Sequence, residues 1–324
     1  MTVHWGIMGL GNIARRFAQS MTHETESVLY SVYSRSEEKG KAYCDAYHCK
    51  FYTDMEEFLS DPELDIVYLA LPHGFHKEYA LNIMKHGKAV LCEKPAGLNF
   101  EEAKEMVGYS EEHHILFVEA MKYAFTPIRP VLKERMKDIG EITSITASFC
   151  TDQDHMENFT SSYLYQKGQG GSLLDTGTYP LTFVRDLCGN NMILQKAELS
   201  VDINDVDHHM KAEYRSGNTA VIIETALNEN KERTAVITGT DGEIRVPYYY
   251  RADHFDIVKD HKTETVNIPL LHDDFTGEIR GTVEACQNGW NESPLFTHED
   301  TLTNAALLDE IRTKAEICQC AYRK

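Results

Sequence analysis

Two glycines near the start of the chain have the spacing of a phosphate-binding turn. The run Gly6-Ile7-Met8-Gly9-Leu10-Gly11-Asn12-Ile13-Ala14 carries a G-x-G-x-x-A pattern between an apolar segment and an amphipathic one. In such a turn Gly9 permits the tight bend and Gly11 lets the backbone approach a pyrophosphate. Asn12 and Ile13 then offer N–H groups at the positive end of a helix dipole. The run predicts a dinucleotide site, and a glycine-rich turn without a ligand is the alternative.

The end of the second apolar segment indicates which dinucleotide binds. Enzymes that use NAD usually place Asp or Glu here for the ribose 2'-hydroxyl, whereas this chain has Tyr33-Ser34-Arg35-Ser36. Arg35 can form two parallel hydrogen bonds to a 2'-phosphate, and Ser34 can add another. We therefore predict NADP as the cofactor and leave NAD possible. The alternative is a solvated arginine at the start of a helix.

Further candidates follow two later apolar segments. Leu71, Pro72 and His73 come after the first of these segments, with His76 close behind, and Glu93 and Lys94 end the second. Ligands of open α/β sheets bind at the carboxyl ends of the strands, so we expect these residues near the cofactor. The Lys94 ammonium is expected where nicotinamide and substrate meet. For His76, helix capping or packing is an equal alternative.

The elements that must hold these side chains alternate between apolar and amphipathic segments over residues 1–122. This alternation predicts the α/β class, with a parallel sheet in an N-terminal Rossmann fold. The predicted strands are 3–8, 28–33, 65–71, 89–92 and 116–119, and the predicted helices are 13–21, 37–47, 55–59, 77–86 and 100–113. Asp54 and Asn99 are expected to cap the helices that follow them.

The pattern changes in residues 123–324, which we assign to a second, α+β domain. Segments up to residue 268 alternate like strands joined by tight turns such as Asp241-Gly242, so we predict a largely antiparallel, open-faced sheet. Helices are predicted at 171–189, 274–288 and 299–321, the last capped by Thr297. Residues 1–122 are then the NAD(P)-binding domain and residues 123–324 the substrate-binding and dimerisation domain.

Composition narrows the class of partners. The 324 residues carry a formal net charge of −19, which disfavours nucleic acid and anionic membrane surfaces. No apolar run is long enough for a membrane span, and no basic, apolar leader opens the chain. The eight cysteines form no Cys-x-x-Cys pair, so we predict cytoplasmic free thiols and no metal site.

The motifs together resemble the glucose-fructose oxidoreductase and inositol dehydrogenase family, also called Gfo/Idh/MocA. The G-x-G-x-x-A turn, Pro72-His73 and Glu93-Lys94-Pro95 match its first domain in order. The run Gly170-Gly171-Ser172-Leu173-Leu174-Asp175-Thr176-Gly177-Thr178-Tyr179 is similar to its G-G-x-x-x-D-x-G-x-H/Y signature. Tyrosine at 179 resembles the branch of dimeric dihydrodiol dehydrogenases and NADP-dependent D-xylose dehydrogenases.

The resemblance implies a mechanism. Lys94 would hydrogen-bond the reacting oxygen, Tyr179 would exchange its proton, and Asp175 would orient Lys94 or bind a substrate hydroxyl. The implied substrate is a small molecule, namely a sugar, cyclic polyol or vicinal diol, and the implied assembly is a homodimer or higher homo-oligomer. Without the resemblance, Asp175 is equally a helix cap or first-turn acid, and Tyr179 a half-buried core aromatic.

Several alternatives stay open at this stage. The protein could instead be a catalytically silent NADP(H)-sensing regulator of the same fold, or act on a non-sugar diol or a dicarbonyl. Residues 119–123 and Phe125 are expected near the pocket floor, although packing is an equal alternative. Residues 152–156 and 159–165 could form a wall of the substrate pocket.

Overall fold

The chain forms two compact units, which we call unit 1 and unit 2. The computed structural model describes residues 2–153 and 162–319. Unit 1 contains the chain up to Phe125 together with Leu271–Leu302, and unit 2 contains Thr126–Leu270 together with the chain after Leu302. We expected residues 271–302 in the second domain, whereas this segment packs with the N-terminal residues.

Unit 1 is built around a six-stranded parallel sheet. The strands in the middle of the sheet are buried on both faces, as Tyr68 and Leu69 show, which explains their nearly continuous apolar runs. The sheet order is β3-β2-β1-β4-β5-β6, which confirms the predicted Rossmann fold. Its strands are β1 Val3–Met8, β2 Ser27–Tyr33, β3 Lys50–Tyr52, β4 Ile66–Leu69, β5 Ala89–Glu93 and β6 Phe117–Ala120. The short edge strand β3 was not predicted.

Unit 2 contains a nine-stranded mixed sheet. Its strands are β7 Ile142–Cys150, β8 Ile193–Val201, β9 Asp207–Ser216, β10 Thr219–Ala226, β11 Thr234–Gly239, β12 Glu243–Pro247, β13 His254–Lys259, β14 Lys262–Asn267 and β15 Glu316–Gln319. The order is β14-β13-β12-β11-β7-β10-β9-β8-β15. Only β7 with β10 and β8 with β15 pair in parallel among these strands, so the predicted largely antiparallel sheet is confirmed.

The helices match the predicted ones closely in unit 1. Asp54 accepts a hydrogen bond from the N–H of Glu57 at 3.0 Å, and Asn99 accepts one from the N–H of Glu102 at 2.9 Å, so both predicted caps are confirmed. The helices are α1 Asn12–Met21, α2 Glu37–Tyr47, α3 Met55–Leu59, α4 His76–Lys85, α5 Phe100–His113, α6 Ile128–Arg135, α7 Ser172–Asp175, α8 Thr178–Cys188, α9 Thr276–Gln287 and α10 His298–Lys314.

Two predicted helices differ from the structure. The helix expected over 171–189 is divided into α7 and α8, because the chain bends at Thr176 and Gly177. The helix expected over 299–321 ends at Lys314, and the next residues form β15. There Ile317 pairs with Leu199, so the backbone groups of β15 are satisfied by the edge of β8 rather than by a further helical turn. Thr297 does accept the N–H of Asp300, as predicted for the cap.

The returning segment completes the core of unit 1. The ring of Phe275 meets the ring of Phe17 edge to face, with centroids 5.9 Å apart. Phe17 in turn stacks on Tyr68 of β4 at 3.9 Å. These contacts explain why residues 271–302 leave unit 2. Within residues 2–153 and 162–319, no helix is long and apolar enough to cross a membrane.

Candidate active site

The glycine turn after β1 forms an open cradle at the start of α1. Gly9 has a φ of 98°, and a Cβ at this position would clash with the carbonyl oxygen of Ala70. Gly11 precedes α1, and a Cβ built on it would meet no atom within 4 Å. In the described part of the chain, no side chain caps this helix. The N–H groups of Asn12 and Ile13 therefore have no side-chain cap, as an anion-binding helix start requires.

The residues predicted to select the dinucleotide lie between β2 and α2. Ser34 accepts a hydrogen bond from the N–H of Ser36 at 3.1 Å, and Ser36 accepts one from the N–H of Lys39 at the start of α2. Arg35 is exposed, and among the described residues none forms an ion pair with it. This guanidinium is available to bind an anion such as a 2'-phosphate.

The loop after β4 is fixed by a buried histidine. His76 is fully buried; its Nδ1 lies 2.8 Å from the carbonyl oxygen of Pro95, and its Nε2 lies 2.8 Å from that of Leu71. Burial lowers the pKa of His76, which favours the neutral ring, and this ring donates its single N–H to one of the two carbonyls. His76 thus holds together the loops that follow β4 and β5. His73 is also buried, and Pro72 lies beside it half-buried.

Lys94 directly follows β5 and is almost fully buried. The side chain of Glu93 accepts a short hydrogen bond from the Tyr68 hydroxyl and a second, at 3.3 Å, from the N–H of Lys94. Glu119 of β6 accepts the N–H of Ala96 at 3.1 Å. Two carboxylates therefore fix the backbone on either side of Lys94. The predicted cofactor residues of unit 1 all follow the carboxyl ends of β1, β2, β4 or β5, and so share one edge of the sheet.

A buried ionic cluster lies behind this edge, within unit 1. Lys122 Nζ is 3.2 Å from Glu278 and 3.7 Å from Asp274, and it lies over the ring of Phe275. Burial raises the pKa of Glu278 to about 8; Lys122 lowers it, and the charge of Glu93 raises it further. Residues 119–123 are buried, as the packing alternative requires. No pattern in the sequence indicated Glu278 as a partner of Lys122.

In unit 2, a buried carboxylate fixes the start of α7. Asp207 of β9 accepts hydrogen bonds from the Ser172 hydroxyl at 2.8 Å and from the N–H of Leu173 at 2.7 Å. A Cβ on Gly171, which has a φ of 101°, would collide with this carboxylate. These hydrogen bonds lower the pKa of Asp207, but burial raises it by more, so the pKa is about 6. Asp175 ends the short helix that Asp207 holds and is half-buried.

Tyr179 lies in an aromatic cluster at the start of α8. Its ring stacks on Phe149 with centroids 5.2 Å apart, and the ring of Tyr250 lies at the same distance. Arg233 sits over Phe149 at 4.7 Å and donates to the Tyr250 hydroxyl at 3.4 Å. Our sequence reasoning missed Tyr250 and Arg233. The run Tyr248-Tyr249-Tyr250 after a predicted strand was the signal available.

Some sequence predictions concern residues beyond the description. Residues 154–161, which include half of the predicted substrate wall, lie outside the described residues, as does Cys320. Among the residues that are described, no group of three His, Cys, Asp or Glu side chains could hold a metal ion. His208 faces Asp202, whereas His209 faces Glu224, so the two neighbouring histidines point to different partners.

Two family models match the chain. Residues 3–120 match the NAD-binding Rossmann fold of the Gfo/Idh/MocA oxidoreductase family, and residues 133–245 match the C-terminal domain of the same family. The two matches lie in the order that the sequence motifs predicted.

Curated relatives and solved structures resemble the chain over nearly its whole length. It is 29% identical over 328 residues to scyllo-inositol 2-dehydrogenase (NADP(+)) IolU of Bacillus subtilis, covering 97% of this chain and 98% of that protein. It is 26% identical to trans-1,2-dihydrobenzene-1,2-diol dehydrogenase of Xenopus laevis, covering 96% and 97%. Its fold is similar to that of KijD10, a 3-ketoreductase from Actinomadura kijaniata solved with NADP and TDP-benzene. The TM-score is 0.91 at 23% identity, and the match covers 99% of this chain and 100% of that one.

Proposed function

Because the chain belongs to the Gfo/Idh/MocA family of oxidoreductases, we propose that it transfers a hydride between NADP(H) and a hydroxyl or carbonyl carbon. The substrate class is a sugar, a cyclic polyol or a vicinal diol, the compounds for which the similar inositol and dihydrodiol dehydrogenases are named. The protein is thus an NAD(P)-dependent oxidoreductase acting on CH–OH groups. The observation that carries this function is that the glycine cradle follows β1 and the buried Lys94 follows β5, at the same edge of the sheet.

The proposed cofactor residues divide by the part of NADP that each would hold. The pyrophosphate is bound by the backbone of Gly9, Gly11, Asn12 and Ile13, because this segment presents uncapped N–H groups. Ser34 and Arg35 bind the 2'-phosphate. The loops that carry Leu71, Pro72, His73, His76 and Glu93 line the nicotinamide side. When bound, the nicotinamide accepts or supplies the hydride.

The proposed catalytic residues stabilise the reacting oxygen of the substrate and transfer its proton. The Lys94 ammonium hydrogen-bonds the reacting oxygen and stabilises its developing negative charge. Tyr179 exchanges the proton of the substrate hydroxyl, and Asp175 binds a substrate hydroxyl. Glu93 supports this arrangement because it accepts the N–H of Lys94 and so fixes the backbone there. The aromatic neighbours of Tyr179 support a defined orientation of its ring.

We further propose a cytoplasmic protein that forms a homodimer or higher homo-oligomer. Support for assembly comes from the sheet of unit 2, where alternate residues of β9 are buried and the residues between them are partly exposed. One face of this sheet is therefore available to a second copy, as the family resemblance implies. Light scattering of the purified protein measures the assembly directly.

Turnover and binding, measured together, test the function. We expect NADP-dependent oxidation of at least one compound in a panel of D-xylose, scyllo-inositol and trans-dihydrodiols. Lys94→Met should lower kcat/KM by about a hundredfold or more, because charge stabilisation at the reacting oxygen is lost. Lys104→Met, at an exposed position of α5, is the matched control. NADPH binding without turnover, with Lys94→Met having no effect, would favour the regulator over the enzyme.

A further inference from the structure

Two cysteines lie side by side at the end of α2. The sulfur atoms of Cys44 and Cys49 are 3.8 Å apart. Cys44 is in the last turn of the helix, and the left-handed residue His48, with a φ of 56°, reverses the chain and brings Cys49 back towards it. Both thiols are partly exposed, so a small reagent can reach them. The pair is therefore preassembled by the helix end rather than by distant packing.

The two thiols are not equivalent. Burial raises the pKa of both groups; the hydrogen bond between them opposes this at Cys44 and adds to it at Cys49, whose pKa reaches about 12. Because the thiolate is the attacking species, Cys44 is the thiol that reacts first. Cys49 is then placed to attack the mixed disulfide that forms on Cys44.

The helix that carries this pair also touches the glycine cradle. The hydroxyl of Tyr43 donates to the carbonyl oxygen of Gly11 at 3.5 Å, and the hydroxyl of Tyr47 donates to that of Arg15 at 3.4 Å. Both tyrosines lie in the same C-terminal part of α2 as Cys44. A shift of this helix end therefore reaches the turn that is proposed to bind the pyrophosphate.

We propose that Cys44 and Cys49 form a redox-active dithiol, which low-molecular-weight disulfides convert to an intramolecular disulfide, and that this closure weakens dinucleotide binding. The second part rests on the proposed function; the first part does not.

The reaction balances with the added disulfide as oxidant. The Cys44 thiolate attacks one sulfur of the reagent, which forms a mixed disulfide and releases one reagent thiol. Cys49, after losing its proton, attacks the Cys44 sulfur and releases the second reagent thiol. Overall, two protein thiols are oxidised to one disulfide, and the reagent disulfide is reduced to two thiols.

In the proposed closure, the end of α2 moves together with the two side chains. A disulfide bond is about 2 Å long, so the two sulfur atoms have to approach by nearly half of their present separation. The bond from Tyr43 to Gly11 is already long for a hydrogen bond, and this movement breaks it first. The cradle then loses one of the contacts that hold its backbone.

The test combines peptide mapping with cofactor titration on the full chain. After treatment with oxidised glutathione we expect a cross-linked peptide that contains Cys44 and Cys49, and an NADPH Kd about three- to tenfold higher, as for one lost hydrogen bond. Dithiothreitol should reverse both changes. Cys44→Ser and Cys49→Ser should abolish the cross-link, whereas Cys188→Ser, at a half-buried thiol outside the pair, should retain it.

Each result decides one part of the proposal. Glutathione attached to Cys44 or Cys49 without a cross-link would overturn the dithiol. A complete cross-link with unchanged NADPH affinity would overturn the coupling to the cofactor. Failure of the reduced protein to bind any NADPH would contradict the proposed function and the coupling with it, while the peptide map would still decide the dithiol.

Discussion

Arg35 is the single exposed side chain that we expect to determine the choice between NADP and NAD. It lies at the end of β2, beside the ordered turn formed by Ser34 and Ser36, and no ion pair within residues 2–153 and 162–319 occupies its guanidinium. A 2'-phosphate would bring two negative charges to a position where the hydroxyl of NAD brings none. Selectivity between the two dinucleotides should therefore be concentrated at this residue.

We expect Arg35→Ala to weaken NADPH binding by about ten- to a hundredfold and to leave NADH binding nearly unchanged, because hydrogen bonds to charged groups are the strong ones. Tryptophan fluorescence titration with both cofactors measures this. Lys41→Ala is a suitable control, since Lys41 is an exposed cation of α2 that pairs with Glu37. An equal loss of affinity for NADPH and NADH would rule out the 2'-phosphate role.

At the scale of elements, α7 is too short to be stable without support. A helix of this length makes few internal hydrogen bonds, and its start is held by the Asp207 carboxylate from β9. The hydroxyl of Thr225 also donates to the carbonyl oxygen of Ser172 at 3.3 Å. The sheet therefore sets the position of the segment that carries Asp175.

Replacement of Asp207 by Asn should lower kcat by about ten- to a hundredfold, because displaced catalytic groups lose productive geometry. Both hydrogen bonds end on one carboxylate oxygen, Oδ2, and the neutral amide oxygen of Asn accepts them less strongly than this charged oxygen does. In the wild type, kcat should also fall as the pH drops through about 6, where Asp207 gains a proton and loses the negative charge that strengthens these hydrogen bonds. This decline should be absent from Asp207→Asn.

The control for this prediction is Asp205→Asn, which removes a nearby exposed carboxylate that pairs with Lys167. Its kcat and pH profile should match the wild type. If Asp207→Asn folds and retains both the wild-type kcat and the decline near pH 6, then Asp207 does not position α7 for catalysis.

At the scale of the whole molecule, unit 1 depends on residues that the chain reaches only late. Lys122 and Glu278 are separated by 156 positions, yet they form a contact that is almost completely excluded from water. The burial of a lysine is costly unless an acid accompanies it. Residues 271–302 therefore supply acidic partners for Lys122 as well as apolar cover for the N-terminal core.

Replacement of Glu278 by Gln should change stability in a pH-dependent way. The folded-state pKa of about 8 lies above the usual 4.5, so the folded protein holds a proton that the unfolded chain releases within this range. The contribution of Glu278 to stability is therefore lost as the pH rises towards about 8. The free energy of unfolding of Glu278→Gln, relative to the wild type, should increase over the same range.

Urea unfolding followed by tryptophan fluorescence measures this change. Both tryptophans, Trp5 and Trp290, belong to unit 1, so the signal reports that unit. Glu284→Gln, at an exposed position of the same helix, should show no such trend. A difference between Glu278→Gln and the wild type that is constant with pH would contradict the raised pKa.

The sequence by itself determined the features that depend on neighbouring residues. The alternation of apolar runs predicted the parallel sheet, the spacing of Gly9 and Gly11 predicted the turn before α1, and Asp54 and Asn99 were recognised as caps. Each of these depends on backbone geometry within a few residues, so local patterns are sufficient to predict them. The family motifs added the proposed roles of Lys94 and Tyr179.

Only the tertiary structure decided which charges are buried and what they touch. Three contacts join residues that are separated in the chain. They are the hydrogen bond from Ser172 to Asp207, the ion pair of Lys122 with Glu278 and the hydrogen bond from Arg233 to Tyr250. No local pattern predicts such pairs, because the pKa of a carboxyl and the partner of an ammonium depend on the residues that surround them after folding. The return of residues 271–302 to unit 1 was decided in the same way.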